Sequence, residues 1–470
     1  MFSGQLHGDI FVLKKETPEQ NGSQRGSLLD VPIRKALFSL AWPTCLAVLL
    51  QNLATTIDLI MVGKLGNAEL ASVGFCALIF WTISSLVFGI EIAVTAIVAR
   101  NIGAGRVQEA SYGLGAALTL MLIVSTITAI VTFFLTPVIL KLFKVEPDVY
   151  RLSISYLRIL VFGIIFVGIM SATSGALRGA GDMRTPMFIG LAATVIHVGL
   201  NYMLIFGRFG LPALGVKGAA TGTLLSSLAA AIIGLSLLFS KRLKITLSWK
   251  NFQWNSNRTG QVIRIALPAA AEQFVLQIGL LAYARVIVAY GTIVLSGYQV
   301  GMQVLSLSFI PNAGFSMAAA TLVGQNLGAD RKKTAKKVGW LCAFWAVLSM
   351  CVLGVIYLLT ARQISSVFVK NSEVIKYAVS FIRVVAISQV AIAINFTLSG
   401  ALRGAGDTRT PLLITLLGMY GFRIPAAYIL SNYLGLGVEV VFTLLIYDYL
   451  IRITAITIRY KRGKWLETRL

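Results

Sequence analysis

Twelve stretches of this chain are each long and apolar enough to cross a bilayer, which leaves few folds open to it. They fall at approximately 37–62, 70–98, 113–139, 152–176, 187–207, 218–239, 265–290, 294–323, 338–360, 377–401, 411–431 and 435–457. A helix needs about 20 apolar residues to span a hydrocarbon layer ~30 Å thick. The breaks carry turn chemistry, such as Gly66-Asn67, Gly103-Ala104-Gly105, Glu146-Pro147-Asp148 and Gly181-Asp182. Composition agrees. Hydrophobic residues make up 57% and charged residues 13% of the 470, against about 45–50% and about 25% in ordinary soluble domains. A soluble globule, a disordered chain and a disulfide-stapled scaffold are excluded. The expected fold is an all-α polytopic membrane protein.

The net charge is +23. The basic residues are spread between apolar runs, so the excess points to a membrane rather than to nucleic acid. The two ends and the loops after even-numbered spans carry 27 Lys and Arg, and the loops after odd-numbered spans carry 9. By the positive-inside rule both termini belong in the cytoplasm, and the expected location is the plasma (cell inner) membrane. Cys45, Cys76, Cys342 and Cys351 all lie inside apolar runs and form no C-x-x-C pair. Neither a metal centre nor a cofactor is expected. Residues 1–33 read as a polar tail and 459–470 as a basic exit anchored by Trp465.

The chain is also duplicated. Residues 174–186 read SGALRGAGDMRTP and residues 399–411 read SGALRGAGDTRTP, at an offset of 225. The same offset superposes Pro43 on Pro268, Gly66 on Gly291, Asn101 on Asn326 and Arg158 on Arg383. Each half thus holds six spans, and an even number makes the halves parallel repeats about an axis along the membrane normal. The division expected is a first lobe at 34–240, a linker at 241–264 and a second lobe at 265–458. Such pairs of lobes expose a site near the midplane alternately to each side.

The chain resembles the multidrug and toxic compound extrusion (MATE) family. The resemblance rests on Asp58-Leu59-Ile60-Met61-Val62-Gly63 with Leu65-Gly66, on Val323-Gly324-Gln325-Asn326-Leu327-Gly328-Ala329, on the twin LRGAGD-x-RTP loops, on Phe422-Arg423-Ile424-Pro425 and on the RGKW tail. It implies a V-shaped pair of six-helix lobes that exports organic, often cationic compounds against an inward flow of H⁺ or Na⁺. The chain has no phosphate-binding loop for nucleotide.

Ionisable residues within spans are functional candidates because a charge at the bilayer centre is costly. Asp58 lies six residues before Lys64, about 9 Å below the far end of its span. Gln51 and Thr55 share its helical face. Desolvation disfavours a bare carboxylate, so an acid there can load a proton or metal ion and release it when its surroundings change. On the fifth span Asn201 reaches a similar height and His197 lies one turn deeper on the same face, with Thr221 and Thr223 on the sixth span as further partners. The resemblance is nearest to the DinF-like branch, in which the aspartate matching Asp58 carries the coupling ion. That branch reads N-x-x-x-D where this chain has His197 and Asn201, an exchange that suits protons better than Na⁺.

In the second lobe Tyr283 stands at the repeat position of Asp58. Glu272, with Gln273 and Gln277 close by, resembles the seventh-span glutamate of branches with a second-lobe cation site; Ile392 stands where those branches carry an acid on the tenth span. Glu272, Gln277, Tyr283, Arg285 and Glu91 are the candidates for substrate contact. Asp448 and Arg452 form an i,i+4 pair. In the twin loops Arg178, Asp182, Arg403 and Asp407 are expected to make Arg–Asp contacts and to act in gating, away from substrate. Pro43, Pro268 and Pro425 interrupt their helices.

The reading is a secondary active antiporter with small organic substrates, H⁺ or Na⁺ and membrane lipids as partners, no nucleic acid, and a monomeric chain. It is not an enzyme, since no nucleophile–base constellation is present. A flippase for lipid-linked precursors or polysaccharides, from the wider superfamily, is the alternative; a passive channel fits the parallel repeats poorly.

Overall fold

The computed structural model describes residues 28–143 and 145–468. Most of the expected 1–33 tail, with residues 469 and 470, therefore lies outside the described residues. The helices are, in the first half, α1 (Ile33–Gly63), α2 (Asn67–Ile83), α3 (Ser85–Gly103), α4 (Val107–Leu142), α5 (Pro147–Gly179), α6 (Arg184–Phe206) and α7 (Val216–Phe239). The second half holds α8 (Ser256–Val288), α9 (Thr292–Gly328), α10 (Lys332–Phe368), α11 (Ser372–Gly404), α12 (Arg409–Gly418), α13 (Ile424–Asn432) and α14 (Val438–Arg462). Twelve spans are long and apolar enough to cross a membrane, with Arg409–Asn432 counted as one. The protein is an all-helical, multi-pass membrane protein.

Two spans differ from the sequence expectation. The single span expected at 70–98 is two helices, α2 and α3, that meet at Ser84. The span expected at 411–431 passes through a π-helical turn, Met419–Arg423, between α12 and α13. Pro425 follows one residue later, in the first turn of α13. A proline cannot donate to the helix ladder, and a π turn shifts the hydrogen-bond register over one turn.

The halves exchange the starts of their first helices. Ala36, Leu37, Leu40 and Ala41 of α1 sit in the core of the second half. Val62, near the other end of α1, packs in the first half with Val73 and Leu157. On α8, Val262, Ile265 and Ala266 join the core of the first half, while Tyr283 and Ile287 belong to the second. Pro43 and Pro268, equivalent in the repeat, lie where each helix changes sides.

The halves close together at the end that carries the twin loops. A Cβ on Gly103 would overlap the Gln325 carbonyl, and one on its repeat mate Gly328 would overlap the Arg100 carbonyl. Hydrogen bonds cross the seam there. Thr321 Oγ1 donates to the Arg178 carbonyl at 3.0 Å, Gln325 Nε2 to the Gly179 carbonyl at 2.9 Å, and Arg100 Nη1 to the Thr468 carbonyl at 2.7 Å. Trp465 is not an interfacial anchor; it is fully buried and stacked on Tyr460.

This seam yields a prediction. Gly103→Val and Gly328→Val should each push the halves apart at the twin-loop end, because backbone cannot give way as a flexible side chain can. A cysteine placed at Thr321 in a cysteine-free background should then react with a water-soluble maleimide several-fold faster. Unchanged labelling in a folded variant would show that the seam tolerates the added bulk.

Candidate functional site

A cavity of about 750 Å³ lies between the halves, above the closed seam. That volume suits a drug-sized organic molecule. Its walls come from α1, α2, α3, α5, α6 and α7 on one side and from α8, α9 and α11 on the other. Phe80, Trp81, Phe88, Phe309 and Phe396 supply aromatic surface. The charged and imidazole side chains on the wall are Asp58, Glu91, Arg178, His197 and Arg403.

Asp58 is held by two side chains from α6. His197 Nε2 lies 2.9 Å from Asp58 Oδ1 and 2.8 Å from Oδ2. Asn201 Nδ2 donates to Oδ1 at 2.7 Å. His197 and Asn201 are four residues apart, so one helical face delivers both. Gln51 and Thr55 line the same wall, two turns and one turn below Asp58 on α1. From α7, Ser226 Oγ reaches His197 Nδ1 at 3.3 Å, and Ser226 Oγ donates to the Thr223 carbonyl at 3.0 Å.

Asn201 Nδ2 also lies 2.8 Å from His197 Nε2, so Nε2 faces both Asp58 oxygens and the Asn201 amide while Nδ1 faces Ser226. Which ring nitrogen donates depends on the tautomer, and a carboxylate in direct contact with an imidazole has a partner to which a proton can pass.

Two further ion pairs border the cavity floor. Arg178 Nη1 pairs with Glu91 Oε1, joining α5 to α3. Arg403 grips Glu272 through two bonds, Nη2 to Oε1 at 2.6 Å and Nε to Oε2 at 3.2 Å, joining α11 to α8. The expected Arg–Asp contacts within the twin loops are therefore not made. The reason is local: Asp182 and Asp407 are engaged by the helices that follow them. Asp182 accepts from the amides of Arg184 and Thr185 and from Thr185 Oγ1. Asp407 accepts from the Thr410 amide and hydroxyl, and also from Arg459 Nη2 at 2.7 Å. Arg178 and Arg403, expected to stand away from substrate, instead face the cavity.

The second-lobe candidates are largely dispersed. Glu272 is buried against Arg403 and its neighbour Gln273 lines the cavity instead; Gln277 and Arg285 do not line it. Tyr283 is fully buried, and its hydroxyl donates to the Val441 carbonyl at 2.8 Å. Thr221 also turns away, with its hydroxyl on the Lys217 carbonyl, and Thr223 lines the wall in its place. The Asp448–Arg452 pair is present and bidentate, at 2.6 and 3.0 Å. Ser226 was not anticipated, although it sits one turn beyond Thr223 on the same helical face.

Comparison with known proteins follows this geometry. A family model described as MatE matches twice, over residues 43–203 and 268–429, once in each half. The chain is 30% identical over 445 residues to a protein of Thermotoga maritima described as "Probable multidrug resistance protein NorM", covering 93% of this chain and 94% of that one. It is 28% identical over 409 residues to "Multidrug resistance protein PmpM" of Pseudomonas aeruginosa, covering 84% of each. A solved structure of a MOP superfamily transporter from Pyrococcus furiosus superposes with a TM-score of 0.88 at 22% identity, over 94% of this chain and 98% of that one. An outward-facing multidrug resistance MATE transporter superposes with the same TM-score, identity and coverage.

The ion pairs give a test of their own. Glu91→Gln leaves Arg178 charged and uncompensated near the cavity floor, and breaking a buried pair on one side costs about 3–5 kcal/mol. The expected result is a clear fall in the thermal unfolding midpoint in detergent. Adding Arg178→Met should restore most of it. A double variant no more stable than the single one would show that the pair is not the source of the loss.

Proposed function

Because the chain belongs to the MatE family of membrane transporters, we propose that it exports organic, mostly cationic amphipathic compounds in exchange for protons. The observation that carries this reading is the Asp58 carboxylate, held by His197 and Asn201 on the wall of a cavity bounded by both halves. The cavity offers aromatic surface to an amphipathic body and, besides the arginine-paired Glu91, an acid whose partner is an imidazole. The names of the curated relatives supply the multidrug character.

The basic residues of the even loops support an orientation with the twin-loop end and both termini on the cytoplasmic side of the plasma membrane. The seam then closes the inner side and the cavity opens outward. Protons arriving from outside load the Asp58–His197 pair. Loading removes the negative charge that would hold an organic cation, which favours its release and the return to an inward-open state. There the substrate displaces the proton. Both ligands act on one two-state equilibrium through their different affinities for the two states. The cavity lies within a single chain, so a monomer suffices, and lipid is the surrounding solvent.

Protons are favoured over Na⁺ by the donor set. An imidazole nitrogen lies within hydrogen-bond distance of both carboxylate oxygens, and a hard alkali cation prefers oxygen ligands.

Asp58→Asn should abolish uphill efflux of a cationic dye from inside-out or proteoliposome preparations while the protein stays folded. Wild-type activity would reject the assignment. Collapsing ΔpH while Na⁺ gradients persist should stop transport; continued Na⁺-driven efflux would reverse the choice of ion. His197→Gln can still donate to Asp58 but cannot carry a proton, so it should lose pH-driven transport more than it loses dye binding.

A further inference from the structure

The second half carries a buried charge cluster with no role in the cavity. Asp448 on α14 is fully buried and is gripped by Arg452. Arg423, in the π turn, places Nη1 3.9 Å from Asp448 Oδ2 and its guanidinium carbon 4.0 Å from the centre of the Tyr283 ring. Arg423 and Arg452 are each 3% exposed. Two guanidiniums thus share one carboxylate, an excess of one positive charge. Arg423 Nε and Nη2 find no hydrogen-bond partner among the described residues. Ring contact with Tyr283 offsets part of the cost, but an uncompensated buried charge with idle donors remains expensive.

The position of this cluster gives a second argument. Tyr283 is the repeat equivalent of Asp58, at the common offset of 225. Arg409–Asn432 is one residue longer than its repeat mate Arg184–Phe206. With the π turn as that extra residue, Arg423 falls on His197. Aligning Gly437-Val438 with Gly215-Val216, where the last span of each half begins, sets Asp448 on Ser226. The contacts match as well: His197 touches Asp58 and Ser226, and Arg423 touches Tyr283 and Asp448. The two halves thus hold equivalent clusters of opposite polarity, an acid with an imidazole in one and a surplus guanidinium in the other.

We propose that the second half binds a small monovalent anion, of the halide class, at Arg423 Nε and Nη2. The anion completes the charge of the Arg423–Asp448–Arg452 cluster and supplies the acceptor that these two N–H groups lack. Chloride is the abundant species of that class.

The test uses purified full-length protein and does not depend on transport. At constant ionic strength, replacing sodium gluconate with sodium chloride or bromide should raise the unfolding midpoint by a few degrees and saturate. Arg423→Gln should abolish that halide dependence, while Asp58→Asn should keep it. Crystals grown in bromide should show an anomalous peak within hydrogen-bond distance of Arg423 Nε or Nη2. A midpoint indifferent to halide, a halide effect retained in Arg423→Gln, or a wild-type crystal with water alone at Arg423 would overturn the proposal. If Arg423→Gln fails to fold, the bromide peak in the wild type decides.

Discussion

A formal charge held away from water needs an opposite charge or a full set of hydrogen bonds close by, and this requirement organises the interior. Asp58 is met by His197, Glu91 by Arg178, Glu272 by Arg403 and Asp448 by Arg452. The first three each join two helices. Arg178 and Arg403 are repeat equivalents, yet their acids are not. The equivalent of Glu91 is Ser316, whose hydroxyl bonds to the Phe396 carbonyl, and the equivalent of Glu272 is Ala47. Duplication supplied the two arginines, and each half then satisfied its own from a different helix. The cavity floor is symmetric in its basic groups and asymmetric in what neutralises them.

The same reasoning explains the different fates of equivalent positions. Asp58 stands on the cavity wall, where solvent and ligand can reach it, and its partner is a ring that can gain or lose a proton. Tyr283 stands in a packed core among Tyr298, Phe381 and Phe442. Tyr283 does not line the cavity, and a guanidinium stacked on its phenol ring is a fixed arrangement.

Much of this was legible in the sequence. Span length, the 225-residue offset and the distance of Asp58, His197 and Asn201 from their helix ends require only helical rise and periodicity, and those quantities do bring the three side chains together. Several of the missed features depend on how neighbouring helices are rotated. Nothing in one sequence says that Arg178 faces α3 or that Arg403 faces α8, and the nearby Asp182 and Asp407 were the natural guesses. Their demand for the first amides of the next helix is a capping effect that outweighs pairing within the loop. Thr221 and Thr223 differ by two positions on a helix and so point to different sides; choosing between them needs the packing of α6 on α7. The break at Ser84 has no glycine or proline to announce it. The π turn leaves its mark only as one extra residue in an otherwise constant register.

The exchange of helix starts makes the two halves mechanically dependent on each other. α1 is anchored by Leu37 and Leu40 in the second half and by Val62 in the first. α8 is anchored by Ile265 in the first half and by Tyr283 and Ile287 in the second. A helix fixed in two bodies cannot remain unchanged when those bodies move relative to one another. The bend or twist concentrates where its hydrogen-bond ladder is weakest, which in both helices is the proline between the anchors, just past the first of them. Asp58 lies beyond that proline on α1, on the part fixed in the first half. Any opening of the twin-loop seam therefore acts on the segment that holds Gln51, Thr55 and Asp58 against His197. Whatever alters the attraction between Asp58 and His197 acts back on the seam through the same helix, since coupling between two sites is reciprocal.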